Sequence, residues 1–160
     1  MMLRPATTAT EIIVVDRSAD ALALAARVGA HHTVSAGEDA AAQVMELTRG
    51  RGVDVTLDIV GAEDTLALAA GVTRSLGHLS IVGIAGGTLP VGFFSIGYEV
   101  SVATTYWGSL PELIEVLALA ESGRITPDVV RFDLDHAAEA YAQLAAGELS
   151  GRAVIVPSTT

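Results

Sequence analysis

The chain has 160 residues, about half of them apolar, which is one ordinary domain's worth and enough to bury a real core. Its formal net charge of −10 sets 19 acidic residues against nine arginines, scattered singly or as the near pair Arg49 and Arg51. That balance excludes a phosphate-backbone binder, which needs clustered basic side chains, so no nucleic-acid partner is expected.

The missing residue types exclude further chemistries. Without lysine there is no Schiff base and no P-loop lysine; without cysteine there is no disulfide, thiolate zinc site or cysteine nucleophile. The apolar runs are strand-sized, well short of the ~20 residues that span a bilayer, and no apolar stretch of signal-peptide type follows Arg4. A cytoplasmic protein without a membrane partner is the expectation.

In chain order, short β-branched runs alternate with alanine- and leucine-rich stretches, the pattern of a parallel α/β sheet. Glu11 to Asp16 (EIIVVD) predicts a strand buried on both faces. Ser18 predicts an N-cap, with Leu22, Ala25 and Val28 on one helical face and Gly29 at the stop. His32 to Val34 predicts a short strand, and Glu38 to Arg49 a helix closed by Gly50. A strand follows over Asp54 to Val60, then a helix from about Ala62 to Ser75 and a strand from Gly77 to Ile84. Residues 85–100, rich in glycine and aromatics, predict a loop with one short exposed strand. Strand character resumes over Ser101 to Trp107. Ser109-Leu110-Pro111-Glu112 is a capping box opening a helix to about Glu121. Strand (Val129 to Leu134), helix (Asp135 to Ala146) and strand (Ala153 to Val156) complete the chain, which contains no internal repeat.

In a doubly wound sheet, an acidic residue ending the second strand accepts hydrogen bonds from the adenosine ribose hydroxyls of NAD and repels the extra phosphate of NADP. Asp16 suits that role; a helix-capping or solvated aspartate is the plainer explanation. Arg17 beside it is suited to accept a phosphate, but the balance favours NAD.

The succession VVDRSADALALAARVGA, GVDVTLDIVGAEDTL, GHLSIVGIAGG, TTYWGSLPEL and GELSGRAVIVP resembles the cofactor-binding half of the zinc-dependent alcohol dehydrogenases, of the medium-chain dehydrogenase/reductase family. The resemblance covers the chain from about Leu3 onward and implies a Rossmann-like doubly wound parallel sheet. It implies a partial dinucleotide-binding domain over residues 1–108 and a segment over 109–160 that returns to a catalytic domain. By resemblance, Ile59, Val60 and Gly61 lie at the strand end under the nicotinamide side of the cofactor. Val82, Gly83 and Ile84 offer main-chain groups to its carboxamide, Tyr106, Trp107 and Gly108 close the pocket, and Arg152 reaches the pyrophosphate. The plainer expectation makes Ile59, Val60, Val82 and Ile84 core-strand residues, Trp107 a packing residue and Arg152 a surface arginine.

The family's G-x-G-x-x-G turn lies one strand and one helix before the strand carrying Asp16, and only the first ten or so residues, none of them glycine, precede that strand. Gly83 to Gly87 has the wrong spacing to replace it. Met1 to Thr8 resembles the tail of the helix after that turn, so the expectation is an incomplete sheet whose first strand and phosphate turn are missing. In the order 3-2-1-4-5-6 that strand separates the strand of Asp16 from the strand of Val60. Either those edges close onto each other, another chain fills the slot, or the isolated protein is marginal.

The family's zinc belongs to a separate catalytic domain, and no catalytic or metal-binding residue is assigned here. His31 and His32 are adjacent and point apart; His78 and His136 stand alone. Met45, Leu47 and the Phe93-Phe94 pair suggest core or interface, and the resemblance implies a homo-oligomer through the sheet edge near Phe93 to Tyr98. The expectation is the cofactor-binding portion of an NAD-dependent alcohol dehydrogenase, inactive alone and with NAD binding weak or lost. The alternatives are a non-catalytic remnant or oligomerisation module and, with less support, an unrelated α/β binding protein.

Overall fold

A computed structural model describes residues 10–149 and 151–157, so the helix tail expected over Met1 to Thr8 lies outside the described residues. The described chain falls into two compact units, Thr10–Gly108 and the segment from Ser109 onward.

In the first unit, β1 (Ile13–Asp16) and β2 (His32–Ser35) flank α1 (Ala19–Arg27). The Ser18 side chain caps α1 by accepting a hydrogen bond from the Ala21 amide, with Asp20 in the first turn and Arg27 in the last. Both charges complement the helix dipole. Next come α2 (Ala40–Leu47), β3 (Val53–Asp58), α3 (Glu63–Val72), β4 (Thr73–Ile81) and β5 (Ser101–Thr104). The pair β1-β2 and the sheet β3-β4-β5 are parallel throughout.

Neither β1 nor β3 has a second partner strand among the described residues, so the two edges do not close onto each other. This corrects the expectation of a first strand buried on both faces: every residue of β1 is only half-buried. Ile13 and Val15 pack against the cluster of Val34, Ala40, Val44 and Val72, but no strand covers the outer edge. On β3, likewise, Val55 and Leu57 are exposed on one face, while Thr56 and Asp58 turn inward on the other.

The junction between α3 and β4 also departs from expectation. The helix stops at Val72, three residues before the expected Ser75, and the strand begins at Thr73 instead of Gly77. Contacts distant in sequence set this boundary. The Thr73 hydroxyl lies 2.7 Å from the Ala69 carbonyl oxygen and 2.6 Å from the Thr56 hydroxyl. Arg74 donates to Asp54 at 2.6 Å, and Arg51 grips the same carboxylate with two bonds of 2.8 Å. The Arg51 and then the Arg74 hydrogen bonds hold the Asp54 carboxyl well below the usual carboxylate range. The strand bulges between, with Leu76 at φ 62°, and its register jumps from Val53 opposite Thr73 to Val55 opposite His78.

Residues 82–100 contain no strand, so the short exposed strand expected there is absent. That segment is nonetheless anchored. Leu89, Ile96 and Val100 pack with Ile81 and Val102 on the cluster of Ala69, Ala70 and Leu79.

In the second unit, the expected capping box is present: Ser109 and Glu112 exchange hydrogen bonds at the start of α4 (Leu110–Glu121). The parallel pair β6 (Val129–Asp133) and β7 (Arg152–Val156) is joined through α5 (Ala137–Ala146), which ends at Gly147 with φ 70°. No helix among the described residues is long and apolar enough to cross a membrane.

Leu79, with 0% of its surface exposed, is the centre of the larger sheet's core. Leu79→Ala is expected to lower stability by about 2–5 kcal/mol, read from denaturant unfolding at unchanged slope.

Candidate functional site

The C-terminal ends of β3 and β4 are adjacent because the strands are parallel and in register from Val55 to Asp58. The loops leaving them cross backbone to backbone. A Cβ on Gly83 would overlap the carbonyl of Val60, and one on Gly61 would overlap the carbonyl of Gly83. Gly87 approaches the backbone of Ala62 and Glu63 as closely, and Gly61 has φ 75°, which favours glycine. Three glycines thus allow a crossing that any side chain would block.

Hydrogen bonds lock the crossing. Val82 and Gly83 donate their amides to the Asp58 carbonyl at 2.8 and 3.0 Å, Ala85 donates to Val60 and Gly87 to Gly61. The Asp58 carboxylate, only 5% exposed, accepts from the amides of Val60 and Gly61 at 2.9 Å each. Its other oxygen lies 2.9 Å from the Thr65 hydroxyl, which in turn accepts from the Ala62 amide. Sequence reasoning missed Asp58 and Thr65. The available signal was an acidic residue inside an apolar strand, followed by Gly61 and then by Thr65 in the first turn of a helix.

The crossing brings Ile59, Val60, Gly61, Val82, Gly83 and Ile84 together. Their burial corrects the plainer expectation. Ile59, Val60, Val82 and Ile84 are not core residues; all four side chains are exposed, Ile84 at 86%. They lie beyond the last paired rungs of their strands, where no element covers them. The amides of Val82 and Gly83 are both engaged with the Asp58 carbonyl.

β5 is the next strand, joined to β4 through Ile81 opposite Thr104. Thr105 continues it, donating its amide to the Ile81 carbonyl and setting its hydroxyl 3.0 Å from that of Ser80. Beyond it Trp107 is 81% exposed and lies edge-on to Tyr106, ring centroids 5.2 Å apart. The expectation that Trp107 simply packs is therefore also corrected. Its φ of 57° is a left-handed conformation that costs a non-glycine residue about 1–3 kcal/mol.

Asp16 ends β1, in the other sheet of the same unit. One carboxylate oxygen accepts from the Ser18 amide at 2.8 Å, forming the turn that leads into α1. The other has no intramolecular partner among the described residues. The cap of α1 is therefore Ser18 and not Asp16, whose half-buried carboxylate holds the residue that caps. Arg17 beside it is exposed. Arg152, in the second unit, is exposed at the start of β7, its amide bonded to the Asp128 carbonyl.

Two of the histidines hold local contacts. His31 accepts from the Ile12 amide and His32 pairs with Glu11 at 2.6 Å, so the adjacent rings do point to different partners. Among the described residues no three His, Asp or Glu side chains form a group able to hold a metal ion. Phe93 and Phe94 are exposed, Phe94 at 95%, with ring centroids 4.9 Å apart and Phe93 edge-on to Tyr98. Phe93 and Tyr98, but not Phe94, border an open depression of about 320 Å³ in the loop over residues 92–100.

Parallel strands alternating with helices, as in β1-α1-β2 and β3-α3-β4, make this a Rossmann-type α/β domain. The chain belongs to the zinc-binding dehydrogenase family, whose profile matches residues 1–122. It is 36% identical over 149 residues to an NAD-dependent alcohol dehydrogenase of Sulfolobus acidocaldarius, covering 90% of this chain and 42% of that protein. It is 31% identical over 147 residues to the D-arabinose 1-dehydrogenase (NADP(+)) of Saccharolobus solfataricus, again covering 42% of the relative. The crystal structure of the alcohol dehydrogenase from Aeropyrum pernix superposes with a TM-score of 0.84 at 38% identity, over 94% of this chain and 44% of that one. The chain therefore spans less than half the length of the relatives it matches.

Gly83→Ala is expected to cost about 1–3 kcal/mol by forcing the loops apart. Thermal unfolding reads the loss, and faster amide exchange at Gly61 and Val82 localises it.

Proposed function

We propose that this chain is the cofactor-binding portion of an NAD-dependent alcohol dehydrogenase, with residues 1–108 as a partial dinucleotide-binding domain and 109–160 returning to a catalytic domain. The observation that carries the reading is the locked crossing of the loops after β3 and β4. It presents exposed apolar side chains at a strand end, where doubly wound sheets bind their ligands. NAD fits these residues. Ile59, Val60, Val82 and Ile84 offer an apolar bed for a nicotinamide ring, carbonyls beside Gly83 offer acceptors for a carboxamide, and Trp107 offers a flat wall. The outer oxygen of Asp16 suits ribose hydroxyls, which favours NAD over NADP although Arg17 is adjacent, and Arg152 suits the pyrophosphate. The cofactor supplies the hydride acceptor for an alcohol, or the donor for a carbonyl.

Catalysis in this reading needs zinc held by residues outside this chain, whose sequence offers no cysteine and only dispersed histidines. In this reading residues 1–160 supply cofactor contacts, and the zinc chemistry falls to residues that are not among them. A cytoplasmic location accompanies this reading. The test is a titration with NADH that follows the fluorescence of Trp107, the single tryptophan. Saturable quenching at micromolar concentration is expected, with the dissociation constant raised about tenfold by Asp16→Ala or Arg152→Ala. A folded chain that shows no quenching would leave dehydrogenase ancestry without cofactor binding.

The second reading, an oligomerisation module, is favoured by the exposed Phe93, Phe94 and Tyr98 beside the open edge of β5. Such a patch and an unprotected edge support a homo-oligomer through this face. Phe94→Asp is then expected to shift the sedimenting species from dimer to monomer. An unchanged mass would reject this interface.

A further inference from the structure

Asp58 touches both loops of the crossing, and it does so with different atoms. Its main-chain carbonyl holds the loop after β4 through Val82 and Gly83, while its carboxylate holds the loop after β3 through Val60 and Gly61. The carboxylate forms no ion pair among the described residues; its remaining contact is the Thr65 hydroxyl at 2.9 Å. Thr65 shares its proton between that oxygen and the Ala62 carbonyl and accepts the Ala62 amide, tying the first turn of α3 to the same point. A buried carboxylate satisfied only by neutral donors costs desolvation that an ion pair would offset, so its presence calls for a role beyond packing.

We propose that Asp58 and Thr65 are positioning residues that preset the crossing for the nicotinamide end of the cofactor and leave the adenosine end unaffected. The inference rests on the cofactor reading above. Loops already held in the binding arrangement lose little freedom when a ligand arrives, so their anchors contribute to affinity without touching the ligand. Removing the carboxylate frees the Val60 and Gly61 amides. The contact between Gly61 and Gly83 passes that freedom to the second loop, although the main-chain bonds of Val82 and Gly83 remain. Asn at position 58 keeps an acceptor for the two amides and can donate to Thr65 instead of accepting from it.

The experiment compares NADH with ADP-ribose, which lacks the nicotinamide, by calorimetric titration of the full chain and of Asp58→Ala, Asp58→Asn and Thr65→Val. Asp58→Ala is expected to weaken NADH about tenfold, Thr65→Val about threefold, and Asp58→Asn to recover most of the loss. ADP-ribose affinity is expected to stay within about twofold throughout. Should Asp58→Ala fail to fold, Thr65→Val, which keeps the side-chain shape and deletes only the hydroxyl, carries the comparison. Equal weakening of both ligands would mean a merely structural role and would overturn the proposal. So would unchanged NADH affinity in a chain whose parent binds it, with the cofactor reading left standing. A parent chain that binds neither ligand would overturn that reading and this inference together.

Discussion

The arrangement at the strand ends depends on one steric constraint, the passage of one backbone against another without room for a single Cβ at Gly61 or Gly83. Contact this close forces main-chain polar groups out of water, and each then needs a partner. The partners come from Asp58, whose carbonyl and carboxylate together accept four main-chain amides, from Val60, Gly61, Val82 and Gly83. The fold thereby spends its polar capacity inside the crossing and turns apolar side chains outward at its rim. Exposed isoleucines and valines at a rigid strand end are what a flat, partly apolar ligand needs, and they are unfavourable in its absence.

The two open strand edges follow from the same economy of contacts. Among the described residues β1 and β3 each complete one hydrogen-bond ladder and have no strand on the other side, and Val55 and Leu57 stay exposed. Relatives more than twice as long share this architecture over their matched region.

Features decided within a few residues were legible in the sequence. The Ser18 cap and the Ser109 and Glu112 box depend on local hydrogen bonds and appear where the residue types predict them. The start of β4 was not legible. It is set by Thr56 and Asp54, which lie 17 and 20 positions from Thr73 and Arg74 and meet them only once the sheet has formed. Burial at the site was illegible for a related reason. Ile59, Val60, Val82 and Ile84 have core composition, and only the position of the last ladder rung distinguishes a strand interior from an exposed strand end. Asp58 was hidden because an aspartate within DVTLDIV signals a strand end, not the crossing of two loops.

The separation of the two ladders bears on how the first unit comes apart. No hydrogen-bonded rung joins β1-β2 to β3-β4-β5; they share the side-chain cluster in which Ile13, Val15 and Val34 meet Val44, Val53, Leu68 and Val72. Packing of this kind couples two parts less sharply than a continuous ladder, because sliding a methyl group costs less than breaking a directional bond. The half carrying Asp16 and the half carrying the loop crossing each keep a complete ladder of their own, so opening of one leaves the rungs of the other intact.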